Sequence, residues 1–395
     1  MDDGRSSGPR RFEVAAQSIA TDVESLHPQP TNSALAVEGV VDLGGTVAVA
    51  SRERVDEALR NWNVFSSENL IDLGNVRPML PISVDPPRHL RYRKLLDPLF
   101  APKRMDAIER DVAARVNRFI DAFESRGACN FTTELAEPFP SSVFLGLMGL
   151  PWSELGTMMR LRDGLLRPQG PTGEERLQFQ RDTGEEVYRF FDEILDERQR
   201  SPQDDILTMF LSAEMDGERL TREEMLDICF LFLVAGLDTV TDSLTCFWAF
   251  LAQHDRHRKQ IVDDPDVVPH AVEELLRWET PVPSVVRFAR EPYNFGSHRV
   301  DAGDVVSVNI SAANVDPREY PEPLEVRFDR DVNKHLAFGG GVHRCLGSHL
   351  ARRELRVALR EWHRRIPEYS LAPGYEVTYR APLRFVPDLQ LTWPA

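Results

Sequence analysis

Residues able to do chemistry concentrate in one stretch, Phe338 to Gly347, FGGGVHRCLG, followed at once by the amphipathic helical pattern SHLARRELRVALREWHRRI. Cys345 sits where the glycine-rich loop enters that helix. A helix start leaves backbone N–H groups unpaired and carries partial positive charge, so a sulfur there is favoured as thiolate, the form that ligates metals. Gly339, Gly340 and Gly341 let the backbone come close to a flat ligand, and Phe338 can shield sulfur from water. A lone cysteine is more commonly a small buried apolar residue. The glycines and the aromatic ring set this one apart from Cys129, Cys229 and Cys246, which, in a chain of this size, read as free thiols. A dinucleotide loop fails because Arg344 takes the third glycine position and no clear strand precedes. His335, His343, Cys345 and His349 are zinc-type side chains, but they lack the paired spacing of structural zinc sites.

Further upstream, Asp238 and Thr239 place an acid and a hydroxyl in an otherwise apolar helix, just after small Ala235 and Gly236. Alone this is a packing notch with one polar pair; beside a reactive centre the same groups can carry protons. Glu274 and Arg277 stand at i,i+3, the spacing of an ordinary surface ion pair, and His89 and Arg93 stand at i,i+4.

These groups need a frame that is mostly helical. Ser51 caps a helical pattern after the alternating run VVDLGGTVAVA, which reads as a hairpin. Asp85-Pro86-Pro87 offers an N-cap with Pro at the first helical position. Helical patterns continue over 103–126, 131–149, 152–166 and 174–200. A capping box at Thr221 and Glu224 then opens a pattern running to about Gln253, roughly 50 Å at ~1.5 Å per residue. Strand-like runs return only around 284–310 and 370–393. Residues 1–35 read as a loosely ordered arm, and 36–395 as one domain without internal repeats.

The Cys345 loop resembles the haem-binding motif of cytochromes P450, F-G-x-G-x-H-x-C-x-G, matched at every fixed position by Phe338, Gly339, Gly341, His343, Cys345 and Gly347. The resemblance covers residues 83–395 well and the first 40 poorly. It implies a mainly α fold, a helical triangular prism with a small β-rich subdomain, and haem b held between the long helix and the Cys345 helix with Cys345 on the iron. It also implies a buried Glu274–Arg277 pair joined by Arg330. His89, Arg93, Arg287 and His343 match the family's partners of the haem carboxylates. Ala235 belongs to an oxygen-binding segment in which Asp238 and Thr239 relay protons. Leu70, Ile71, Met79, Leu231, Val234, Val285, Val286 and Phe385 take pocket-lining positions, though each would serve equally as core. Val285 departs from a bacterial subgroup that can carry an acid there, and Val240 replaces a second Thr; both bear on substrate and proton path.

The implied function is a haem-thiolate monooxygenase that uses dioxygen to hydroxylate an apolar small molecule. Coupling, rearrangement or peroxide-driven oxidation on the same fold, and a non-catalytic haem sensor or carrier, are the alternatives. Asp238 and Thr239 speak against the last. A net charge of −16 over 395 residues argues against nucleic acid as a partner. The N-terminus lacks the order of a signal peptide, and the longest strongly apolar run, Cys229 to Gly236, falls short of the ~20 residues a membrane span needs. A cytoplasmic monomer is therefore expected. With no flavin or iron–sulfur motif fused, electrons must come from a separate ferredoxin and its NAD(P)H-dependent reductase. Six basic residues (Arg88, Arg91, Arg93, Lys94, Lys103, Arg104) against Asp97, and seven arginines against Glu354 and Glu361 over 343–365, mark where an acidic ferredoxin would dock.

Overall fold

The alternating run from Val40 pairs as expected, Val40–Asp42 antiparallel to Thr46–Val49, and residues 43–45 lie outside the described residues. A computed structural model describes residues 23–42, 46–68, 70, 72–331 and 333–394. The chain divides into two units, the first formed by 1–70, 269–345 and 377–387, the second by 71–268, 346–376 and 388–395.

Most of the β structure lies in the first unit. Its five-stranded sheet runs in the order Val40–Asp42, Thr46–Val49, Val305–Asn309, Ser284–Ala289, Phe65–Ser66, and only the Val305–Asn309 to Thr46–Val49 pairing is parallel. Val49, Val306, Val308 and Phe65 join Val55, Ala58 and Leu59 of the helix Arg52–Arg60 in one apolar cluster. Ser51 caps that helix by accepting from the Arg54 N–H, as its sequence indicated. The expected loose arm is revised in its second half, while residues 1–22 lie outside the described part. Gln29–Glu38 is a helix with Pro in its first turn and Ala36 fully buried. Arg384 secures the approach to it, donating to the Val23 and Ser25 carbonyls at 2.7 and 2.8 Å and to Glu279 at 2.9 Å. The two carbonyl contacts link residues more than 350 positions apart, so no local pattern announces them.

In the second unit, helices Pro138–Leu147, Leu155–Leu166, Gly173–Arg200 and Ser348–Arg365 pack on the long helix Arg222–Gln253, and Glu109–Asp121 packs on Ser348–Arg365. The Thr221–Glu224 capping box forms in both directions. Apolar side chains on nearly every side make this a core helix: Trp248 stacks on Phe131 at 4.7 Å and meets Trp362 edge-on at 5.7 Å. Among the described residues it is the one helix long and apolar enough to cross a membrane, but 78% of that apolar window is buried inside the fold. Two boundaries differ from expectation. Helix Arg88–Leu96 begins two residues after the expected first helical position, Pro86, because a residue before proline avoids the helical region and Pro86 precedes Pro87. The 131–149 pattern is a π-helical turn, Thr132–Ala136, followed by a separate helix with Pro138 in its first turn, where a missing N–H costs nothing.

Candidate active site

In the first unit, a buried charge cluster fixes the segment leading to Cys345. Arg277 donates from Nε and Nη2 to the two oxygens of Glu274, both at 2.8 Å, with the side chains 0% and 1% exposed. Arg330 adds a third charge at 2.9 Å, and the Arg327 N–H and Asn333 amide complete the acceptor's shell at 2.8 and 2.9 Å. The guanidinium of Arg277 also reaches the carbonyls of Asn314, Pro323 and Glu325 at 2.9–3.0 Å. Burying such ions is tolerable only with this degree of satisfaction. The expected Glu274–Arg277–Arg330 cluster is thus assembled; Asn333 was not anticipated.

The loop that follows is closed on itself. Glu273 holds His335 at 2.9 Å, Asn314 Oδ1 accepts from the Leu336 N–H at 2.7 Å, and the Cys345 N–H donates to the Phe338 carbonyl at 2.9 Å. A Cβ on Gly341, whose φ is +62°, would lie 2.1 Å from the Leu59 carbonyl, so this position seats the loop on helix Arg52–Arg60. Gly339 and Gly347 differ: a Cβ on either would meet nothing within 4 Å, so each has open space at its own position. His343 ends a short 3₁₀ turn and Phe338 is half-buried.

Cys345 is exposed, while Cys129, Cys229 and Cys246 are buried, and none of the four is in a disulfide. Burial pushes the Cys129 and Cys229 thiols well above their ordinary range, so they are inert. Among the described residues no three His, Cys, Asp or Glu side chains form a metal-holding group. An exposed soft donor, open space at two glycines and the buried guanidinium of Arg287, 9% exposed, fit an anionic flat cofactor such as haem. Val285 and Val286 share that arginine's strand, half-buried, and Val285 packs on the apolar cluster; Phe385 and Leu70 are also half-buried.

In the second unit, the long helix is open where its motif lies. Ala235 is exposed and Val234, Gly236 and Thr239 are half-buried, in a helix buried before and after. A Cβ on Gly236 would meet the Phe144 ring at 3.4 Å, an ordinary contact, so packing alone does not demand glycine there. Thr239 Oγ1 donates to the Ala235 carbonyl at 3.3 Å, a long bond that holds the hydroxyl weakly. Asp238 is buried and accepts from Arg167 at 2.9 Å; burial raises its carboxyl above the usual range while Arg167 and Arg162 pull it back. Arg167, 71 residues away, has no local signal in the sequence. His89 is buried, and Arg93 is half-buried with Asp97 at 2.7 Å. Met79 and Leu231 are buried; Ile71 lies outside the described residues.

Folding also redistributes the basic runs. Arg353 pairs with Asp106 and Glu109, Arg365 with Asp121 and Glu124, Arg364 with Glu361 at 2.7 Å, and Arg91 with Asp216 at 2.8 Å. Lys94, Lys103 and Arg104 stay exposed. The local excess counted along the chain is therefore smaller on the folded surface.

A family model described as Cytochrome P450 matches residues 142–362. The chain is 34% identical over 354 residues to the Probable cytochrome P450 127A1 of Sinorhizobium fredii, covering 88% of this chain and 84% of that one. It is 32% identical to the Steroid C26-monooxygenase of Mycolicibacterium smegmatis, with 87% and 86% covered. Among solved structures, CYP109E1 from Bacillus megaterium in complex with testosterone superposes with a TM-score of 0.85 at 26% identity, covering 94% of this chain and all of the other. The mainly helical fold with its small sheets is that of a bacterial haem-dependent monooxygenase, with haem b as cofactor and dioxygen as co-substrate. The chain belongs to the cytochrome P450 family.

Proposed function

We propose that this P450 hydroxylates a bulky apolar small molecule in the cytoplasm, as a monomer, with electrons from a separate ferredoxin and its NAD(P)H-dependent reductase. Haem bound through Cys345 supplies oxygen activation, helped by the electron density a thiolate donates. Arg287, His343, His89 and Arg93 would hold the cofactor's carboxylates, which need cationic partners when buried. The observation that carries the reading is the open stretch Val234–Ala235–Gly236 with Thr239 on a buried apolar helix, backed directly by the Asp238–Arg167 pair. Substrate meets apolar surface there, and a hydroxyl with a weak internal bond stands beside an acid of raised pKa. Leu231, Val234, Met79, Leu70, Val285, Val286 and Phe385 would supply apolar contact. Relatives named for steroid C26 oxidation and for mycinamicin IV hydroxylation or epoxidation favour a large polycyclic or macrocyclic substrate. A panel of such compounds, screened for the haem spin-state shift and then turned over under labelled dioxygen, tests this. One labelled oxygen in the product supports hydroxylation; a product without label points to coupling, rearrangement or peroxide chemistry.

Thr239→Ala should fold and bind substrate normally, because it removes only a weakly bonded hydroxyl. Coupling should fail: product per cofactor oxidised drops at least about tenfold, with hydrogen peroxide making up the balance. Asp238→Asn should instead slow turnover while leaving coupling largely intact. A fully coupled Thr239→Ala enzyme would end the relay reading.

For the electron partner, segments 97–100 and 102–107 pack on helix Ser348–Arg365. They present Lys103 and Arg104 beside the arginines of that helix. The double change Lys103→Glu, Arg104→Glu should slow reduction by an acidic ferredoxin about tenfold at low salt and flatten its salt dependence. Substrate affinity should not move. An unchanged reduction rate would place the docking face elsewhere.

A further inference from the structure

The long helix carries another acid that the relay of Asp238 and Thr239 does not use. Asp242 lies one turn beyond Asp238, is 0% exposed, and neither of its carboxyl oxygens meets a hydrogen-bond partner. An ionised carboxylate in such a place would be very costly, whereas the neutral acid is tolerable. Charged groups face it from three elements: Asp238 on its own helix, Arg162 and Arg167 from the Leu155–Leu166 helix and its end, and Glu137 ahead of Pro138–Leu147. Arg162 is also 0% exposed and its Nη1 lacks a partner, so a donor and an acid stand unsatisfied in one cluster, the setting in which buried water is held. The cluster reaches solvent. Arg167 bonds Asp163 at 3.1 Å, Glu137 at 3.3 Å and Asp238 at 2.9 Å, and the Asp163 side chain is 45% exposed.

We propose that Asp242 is the proton reservoir of the long-helix relay, handing its carboxyl proton to Asp238 and regaining one from solvent through the cluster of Asp163, Arg162, Arg167 and Glu137. The O–H bond of Asp242 breaks as one forms on Asp238. Asp242 is left as a carboxylate that Arg162 and Arg167 stabilise until a solvent proton neutralises it. The inference rests on the reading of Asp238 as a relay member. Burial, and next the neighbouring Asp238, push the Asp242 carboxyl well above the usual range and so favour its neutral form, against the opposing pull of Arg167 and Arg162. Its i,i+4 spacing from Asp238 in an apolar helix is visible in the sequence; its lack of partners is visible only in the fold.

The test uses the haem-loaded enzyme and the near-isosteric Asp242→Asn. In wild type, infrared difference spectra at pH 7 should show a buried protonated carboxyl band that shifts in heavy water, is lost in Asp242→Asn and survives in Asp238→Asn. Linkage gives a second readout. The folded state favours a proton on Asp242 that the unfolded chain releases above about pH 4, so this group's contribution to wild-type stability falls as pH rises, and the thermal advantage of Asp242→Asn should grow from pH 4 to pH 7. Turnover of Asp242→Asn should fall about tenfold, below the effect of a group in direct proton contact, with a larger solvent deuterium effect and unchanged substrate binding. A missing carboxyl band, or a thermal advantage that does not grow with pH, overturns the proposal. So does wild-type turnover with a wild-type isotope effect in Asp242→Asn. If Asp238→Asn is slow in that last case, the relay itself stands; if both variants run at the wild-type rate, the relay falls as well.

Discussion

Arg277→Ala is expected to prevent the protein from accumulating folded and haem-loaded. The change takes away both guanidinium bonds to Glu274 and the donors to three backbone carbonyls at Asn314, Pro323 and Glu325. Glu274 keeps Arg330 and Asn333 but loses its bidentate partner at a site where its side chain is 1% exposed. Removing one member of a buried pair costs about 3–5 kcal/mol, against a total stability of roughly 5–15 kcal/mol for a folded protein. The damage falls on residues 314–333, the segment that delivers the Cys345 loop. Soluble yield, thermal midpoint and haem content per chain measure it. Arg277→Lys should recover little, since an ammonium cannot make the planar two-point contact. An Arg277→Ala protein with wild-type midpoint and full haem would mean that the cluster does not hold this segment.

Cys345→Ser should behave in the opposite way, with the polypeptide intact and the chemistry gone. Cys345 is exposed and outside the apolar cluster, so the substitution is expected to change polypeptide stability by no more than about 0.5 kcal/mol. A serine hydroxyl is a far weaker iron ligand than a thiolate, and it does not supply the electron density on which oxygen activation depends. Haem retention should drop and product formation should cease, while circular dichroism stays that of the wild type. Retained hydroxylation in Cys345→Ser would remove this cysteine from the iron.

Short-range chemistry was the legible part of this protein. The Cys345 loop, the i,i+3 pair Glu274–Arg277 and the Thr221–Glu224 capping box are each written in a few adjacent residues, and each forms. What the sequence hid were partners supplied from far away. Arg167 on Asp238, Asn333 on Glu274 and Arg384 on Glu279 join residues separated by 71, 59 and 105 positions, so composition around either partner says nothing of the contact. The same blindness inflated the basic helix. Counting along 343–365 misses Asp106, Glu109, Asp121 and Glu124, which folding brings to its arginines. It also counts Glu354 as a charge although burial drives that carboxyl toward its neutral form.

The central claim is that Cys345 is the thiolate ligand of a haem. The absorption spectrum of the reduced, carbon monoxide-bound wild-type protein tests it most directly. A haem held by the Cys345 thiolate should give the strongly red-shifted carbon monoxide band, present in the wild type and absent from Cys345→Ser. A wild-type protein that loads haem but lacks that band, or a Cys345→Ser protein that keeps it, would contradict the assignment.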